Sequence, residues 1–163
     1  MTLSSQMNER SRLVLDSPEQ FRALVGREIA KSEWFTITQD RIDGFAELTG
    51  DKQWIHVDRG RAERESPYRT TVAHGFLTLS LLSHMFESAV QVNDAGMTIN
   101  YGLNRVRFPA PVPVNASVRA TFSLQSFQEL RNSRELTFAV VVEVEGSQKP
   151  CCVAEWVLRY YCS

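Results

Sequence analysis

The chain has 163 residues, 43% of them hydrophobic and 23% charged, with a formal net charge of −1. That length supports one domain whose core needs no disulfide or metal to staple it, and the composition is that of an ordinary soluble globular protein rather than a disordered or membrane-spanning one. The near-zero charge creates no field that would gather nucleic acid or an anionic membrane, so neither is expected as a partner.

In chain order, residues 1–15 read as a polar lead-in, and residues 16–163 as the single domain. Met1 to Asp16 holds no apolar run of signal-peptide length, and no window approaches the length of a membrane span. Ser17-Pro18-Glu19-Gln20 has the form of a helix start, with Ser17 as N-cap, Pro18 in the first position and Gln20 as capping partner, running to about Val25 before Gly26. A short strand is expected over Glu33 to Thr38. Thr38 then caps a helix over Gln39 to Thr49, with Ile42, Phe45 and Ala46 on one face and Gly50 as its stop. From Gly75 to Ala89, seven apolar residues from Phe76 to Phe86 cover most of a helix circumference. That pattern suits a helix wrapped on several sides. Ser80, His84, Glu87 and Ser88 form its narrow polar stripe.

The back half alternates with period two: Ala116 to Leu124, Leu136 to Val144, and Ala154 to Tyr160. These are antiparallel strands with one face inward. An earlier run is apolar at Met97, Ile99, Tyr101 and Leu103 but then at Val106 and Phe108, so its register slips near Asn104, as a β-bulge would make it. Pro109, Pro111 and Pro113 end pairing because none has an N–H to donate. Cys151, Cys152 and Cys162 match no disulfide framework and no metal spacing. Cys151 and Cys152, inside a strand pattern, are expected to be packing residues, and the compartment to be reducing and cytoplasmic. The order of elements gives the α+β class: a curved antiparallel sheet of about five strands wrapped around a long central helix, the hot-dog arrangement.

Two segments carry candidate chemistry. Gly50-Asp51-Lys52-Gln53-Trp54-Ile55-His56 sets a carboxyl and an imidazole five positions apart behind a helix-stopping glycine, and Ala73-His74-Gly75-Phe76 sets a glycine at the start of the apolar helix. An extended Asp51–His56 segment would hold the two groups about 16 Å apart, and a regular helix would leave them roughly 140° apart around its axis. For both to hold one water the loop must curl. Ordinary roles compete: Asp51 as the cap of the next turn, His56 as a structural imidazole, His74 as a ring bonded to local backbone, Ser80 as a hydroxyl bonded to the preceding turn. His56, Asp58, His74 and His84 fall in no metal-ligand spacing, so no metal is expected.

These segments, together with Asn100-Tyr101-Gly102-Leu103-Asn104-Arg105-Val106-Arg107-Phe108-Pro109-Ala110-Pro111, resemble the MaoC-like, NodN-type acyl dehydratases over roughly residues 20 to 162. The resemblance implies (R)-specific hydration of trans-2-enoyl-CoA to (R)-3-hydroxyacyl-CoA by a homodimeric hot-dog enzyme, with the CoA thioester as substrate and no cofactor. Carried over by motif, Asp51 and His56 are the catalytic pair, Gly75 supplies the oxyanion N–H and Ser80 supports. Gln53, Trp54, His74 and Arg105 would line the substrate. Many relatives have Pro at the position of Trp54, a departure that bears on substrate shape. Arg105, with Arg107, would meet CoA phosphates, or be a solvated strand edge. Two alternatives stay open: a 3-hydroxyacyl-acyl-carrier-protein dehydratase using the same site, and a non-catalytic acyl-thioester-binding protein. A hot-dog thioesterase is a weaker rival.

Overall fold

A computed structural model describes residues 12–161. Residues 1–11 of the expected lead-in, and Cys162, lie outside the described residues. Its last three positions are not a lead-in: Leu13–Leu15 form strand β1, parallel to residues 90–92. Leu15 is buried there.

Pro18–Leu24 is a 3-10 helix rather than an α-helix. Its anticipated capping box does not form: Ser17 makes no side-chain cap bond, and the Gln20 carboxamide oxygen accepts instead from the Asp16 N–H at 2.7 Å. The element is held by Phe21, which is fully buried with its ring 6.0 Å from that of Phe138. Two short strands replace the one expected near Glu33, β2 (Arg27–Lys31) and β3 (Phe35–Thr36). Both pair with the strand at residues 117–129. Ser32 separates them, because its hydroxyl accepts the Ala120 N–H at 2.9 Å, which interrupts the backbone ladder. The charged, half-exposed sequence of β2 suits a sheet edge.

Helix α1 (Gln39–Thr49) follows its reading closely. Thr38 accepts from the Arg41 N–H at 3.4 Å, Ile42 and Ala46 are buried, and Gly50 closes the helix at φ 78° with its N–H on the Ala46 carbonyl. A left-handed closing residue is where glycine costs least. Two short helices follow, α2 (Trp54–Val57) and α3 (Arg59–Glu65). Asp58 caps α3 by accepting from the Arg61 N–H at 2.9 Å.

The long central helix is two helices, α4 (Gly75–Ser80) and α5 (Leu82–Ala89). The Ser80 hydroxyl donates to the Leu77 carbonyl at 2.7 Å, so the Leu81 N–H turns to the Thr78 carbonyl at 3.3 Å. A mid-helix serine competing for the carbonyl of the previous turn breaks the α-helical ladder at that point.

Strand β4 (Val90–Val92) pairs with β1, and β5 (Met97–Arg107), β6 (Ser117–Glu129), β7 (Ser133–Val144) and β8 (Cys152–Tyr161) build the main sheet. It has six strands in the order β2-β6-β7-β8-β5, with β3 also on β6. All described pairings in it are antiparallel. The three long alternating runs place Val118, Ala120, Phe122 and Leu124, then Leu136, Phe138, Val140 and Val142, then Ala154, Trp156, Leu158 and Tyr160 in the core. This inward face wraps α5, whose Phe86 ring lies 5.1 Å from Phe122, 5.2 Å from Phe138 and 5.7 Å from Trp156. Edge-to-face contacts of this kind add about 0.5–1.5 kcal/mol each beyond burial.

Strand β5 bulges twice. The expected shift falls between Leu103 and Arg105, and a second falls between Asn100 and Gly102. Each bulge flips the face that follows. Thr98 and Asn100 therefore stand opposite buried Tyr160 and Leu158, and Leu103 and Val106 opposite buried Trp156 and Ala154. Met97 and Ile99, read on one face with Leu103, turn to the other.

Candidate active site

The segment from Gly50 to Asp58 curls as the spacing requires. Lys52 N–H reaches the Gly50 carbonyl at 3.0 Å, His56 N–H the Gln53 carbonyl at 2.9 Å, and Asp58 N–H the Trp54 carbonyl at 2.9 Å. The chain then runs through α3 and returns as residues 71–74, laid between α2 and the proline-rich strand end by Val72 N–H to the Ile55 carbonyl and Ala73 N–H to the Val112 carbonyl. That return stacks His74 on His56, ring centroids 3.8 Å apart.

One carboxylate oxygen of Asp51, one ring nitrogen of His56 and one of His74 lie within 4.8 Å of one another. Asp51 is exposed while both imidazoles are buried. His56 Nδ1 lies 2.6 Å from the Val72 carbonyl oxygen. A carbonyl can only accept, so Nδ1 carries the proton and Nε2 keeps its lone pair. Burial pulls the His56 imidazole below its ordinary value of 6.5 and neighbouring His74 pulls the same way, against the Val72 carbonyl and Asp51, which pull it up. The net lowering keeps the ring neutral and able to accept a proton near neutral pH.

A buried, neutral imidazole has a consequence for folding. Between the ordinary value and the lowered one, the unfolded chain binds a proton that the folded chain does not, so stability from this ring is present above pH 6.5 and lost as the pH falls toward the folded value. Thermal melting from pH 7.5 down to pH ~5.5 should therefore fall more steeply for the wild type than for His56→Gln. Parallel curves for the two would show that His56 is not the group responsible.

His74 makes the backbone contact that stood as the alternative to a substrate contact. Its Nε2 donates to the Asp51 backbone carbonyl at 2.9 Å, and its ring is 2% exposed, closed in by His56 and by Phe45 at 5.0 Å. It pins the loop that carries the carboxylate. Its Nδ1 is buried without a hydrogen-bond partner among the described residues. The donors of Asp51, His56 and His74 form the one cluster among the described residues with a metal-ligand set.

Gln39 escaped the sequence reading. It is buried at the first position of α1 and donates to the His56 carbonyl at 2.8 Å and to the Asp43 carboxylate at 2.8 Å, while accepting from the Thr71 hydroxyl at 2.5 Å. A glutamine opening a helix resembles any surface helix residue in sequence, and only the returning chain reveals the partners.

Gly75 opens α4 beside the pair, and its N–H makes no backbone bond among those described. A Cβ placed on it would lie 2.8 Å from Cδ2 of Phe108. The glycine is thus required by the approach of an aromatic ring from the proline-rich strand end. Two hollows lie nearby, one walled by Gly75 and the other by Phe76. A cleft of about 200 Å³ is walled by His56, Tyr68, Gly75, Phe108 and Cys151 among others. A larger, mainly apolar cavity of about 500 Å³ is walled by Phe45, Thr49, Phe76, Leu79, Leu103 and others. The exposed rings of Phe76 and Phe108 stand 6.0 Å apart between them.

Ser80 lies on the wall of the larger cavity, but its hydroxyl hydrogen is spent on Leu77. Gln53 is exposed, and Trp54 is half-buried under the Arg61 guanidinium at 4.4 Å. Arg105 is exposed on β5, opposite Glu155. None of these three is on the wall of either hollow. Cys151 and Cys152 are buried free thiols, and burial pushes the Cys151 thiol up to about 12 and the Cys152 thiol up to about 11. Neither offers a thiolate nucleophile at neutral pH.

No helix among the described residues is long and apolar enough to cross a membrane. A family model for the MaoC-like domain matches residues 20–146. The chain is 49% identical over 146 residues to 3-hydroxyacyl-thioester dehydratase Z of Mycobacterium tuberculosis, covering 89% of this chain and 96% of that protein. It is 46% identical over 136 residues to nodulation protein N of Rhizobium leguminosarum, covering 82% and 84%. Among solved structures, R-hydratase PhaJ1 from Pseudomonas aeruginosa superimposes with a TM-score of 0.68 at 21% identity, covering 85% of this chain and 83% of that one. At that identity the likeness bears on the fold, which is hot-dog.

Proposed function

The chain belongs to the MaoC-like dehydratase family, and from that footing we propose that it catalyses the reversible, (R)-specific hydration of trans-2-enoyl-CoA to (R)-3-hydroxyacyl-CoA. The observation that carries the reading is the approach of the Asp51 carboxylate to a His56 nitrogen within 4.8 Å, beside the glycine that opens α4. A water held by both groups faces one side of the substrate double bond. Its oxygen bonds C3, the Asp51/His56 pair takes one of its protons, and C2 receives a proton from the pair as the C2=C3 π bond breaks. The pair ends as it began, and no electron acceptor is needed.

Between those events negative charge gathers on the thioester oxygen. In this reading the Gly75 N–H, which opens α4, donates to it. The acyl chain runs into the apolar cavity past Phe76, and the thioester arm leaves through the cleft past Phe108. The (R) hand is the one that the resemblance to the MaoC-like, NodN-type dehydratases implies. The mechanism uses no metal or redox cofactor.

A homodimer fits the same reading. Strand β5 is eleven residues long, pairs among the described residues only with β8, and leaves Met97, Ile99, Tyr101 and Leu103 exposed. A long apolar edge strand invites pairing with another chain. A second copy would cover it and roof the cavity beside Leu103.

The carrier is the open choice, because the Mycobacterium tuberculosis relative is named for a thioester without specifying one. Crotonyl-CoA and the matching acyl-carrier-protein ester should be compared under identical conditions, with light scattering of the same sample reporting the oligomer. Hydration of the CoA ester by a dimer is the expected result. Preference for the carrier-protein ester would move the substrate, and release of free thiol would reveal a thioesterase. Inactivity on both would remove the hydratase reading.

A further inference from the structure

The apolar cavity ends at a polar partition. Trp156 is held in the core by Phe86, Phe122 and Phe138, and its indole N–H donates outward to Asn100 Oδ1 at 3.0 Å. Asn100 Nδ2 donates in turn to the Ser83 hydroxyl at 3.0 Å. One chain of hydrogen bonds thus ties β8 through β5 to α5. Asn100, exposed in the single chain, stands opposite buried Leu158, and the bulge that follows it puts Leu103 on the same face of β5.

The same three residues wall two hollows. On one side is the cavity of about 500 Å³ whose wall includes Thr49 and Phe76, chain neighbours of the Gly50–Asp51 turn and of Gly75. On the other is a second cavity of about 470 Å³, whose wall includes Phe86, Val90, Leu158 and Tyr160. Ser83, Asn100 and Trp156 are common to both. The space beyond the partition is comparable in size to the space before it, so removing the central side chain would open a longer channel.

Resting on the hydratase reading, we propose that the Ser83–Asn100–Trp156 chain is the far wall of the acyl site and limits the length of acyl chain the protein accepts. A short chain fills the first cavity and leaves the hydrogen bonds intact. A longer one must displace Asn100 from both partners, and the loss of its bonds to the buried Trp156 indole and to Ser83 opposes that displacement. Asn100→Ala removes the partition at its middle, whereas Ser83→Leu, on the helix side, adds bulk to it.

The test measures binding of saturated butyryl-, octanoyl- and dodecanoyl-CoA by calorimetry, alongside turnover of the corresponding trans-2-enoyl-CoA esters. Wild type, Asn100→Ala and Ser83→Leu are compared. Asn100→Ala should raise the long-to-short ratio of affinity and of kcat/KM by about 10-fold, the worth of one or two methylene groups admitted to an apolar site. Ser83→Leu should lower it, and this variant keeps the test alive if Asn100→Ala does not fold. Unchanged length profiles in both would overturn the wall and leave the hydratase standing. Length-dependent binding that shifts as described, without turnover of any enoyl ester, would keep the wall and remove the hydratase. No binding and no turnover by the wild type would remove both.

Discussion

Asp51→Asn should lower kcat/KM for enoyl-thioester hydration by about 10²–10⁴, the usual worth of a positioned acid–base group. The change is nearly isosteric and the side chain is exposed, so folding stability should stay within about 0.5 kcal/mol of the wild type. Asp51 is not a helix cap in this fold, since the N-cap position of the next helix, α2, is Gln53. His56→Gln should lose activity by a similar factor. It should also lose stability, because the Val72 carbonyl at 2.6 Å gives up its donor in a buried place. In the proposed mechanism the two groups share one water, so the double variant should be little worse than the poorer single one. Steady-state hydration kinetics paired with thermal melts reads all of this. Wild-type rates in a folded Asp51→Asn protein would end its role in the reaction.

Gly75→Ala is the second large effect. Its added methyl would meet the Phe108 ring at 2.8 Å, well inside van der Waals contact. Either the ring swings out or the start of α4 shifts, and a displacement near 1 Å at a reacting centre can cost about 10²-fold in rate. A fall in kcat/KM of that order is expected. Because the clash is with one side chain, Phe108→Ala placed in the Gly75→Ala background should return a large part of the loss. A single Gly75→Ala variant with unaltered kinetics would show that neither the N–H position nor the Phe108 wall matters. A loss that Phe108→Ala does not relieve would mean that the methyl obstructs the substrate itself.

The legible parts of the fold are those whose signals are local. Thr38, Ile42, Ala46 and Gly50 specify α1 within a dozen residues, and each does in space what its type and spacing suggest. The alternation along β6, β7 and β8 is equally direct, because a strand that buries one face must repeat with period two. Less was readable where a residue has two partners to choose from. Ser80 is visible in the sequence as a polar residue in an apolar helix, yet its bond to Leu77 turns one long helix into α4 and α5. Strand β2 escaped because its charged residues describe an exposed edge, and an edge strand needs only a neighbour's backbone. Of β5's two bulges, the one at Asn104 showed as a slip in the apolar pattern, while the one at Tyr101 was masked by apolar residues on both faces.

By itself the order of residues determined the α+β class, the curling loop after Gly50 and the pairing of a carboxyl with an imidazole on it, because helix stops, strand periods and chain reach are all set by near neighbours. Only the tertiary structure decided that His74 holds the Asp51 loop, that Gln39 holds His56, that Gly75 yields to Phe108 and that Asn100 divides two cavities. Those partners lie 17 to 56 positions apart in the chain, and hydrogen bonds across such spans leave no period in a sequence. They exist only once the sheet has closed around α5 and brought the strands' inward faces against it.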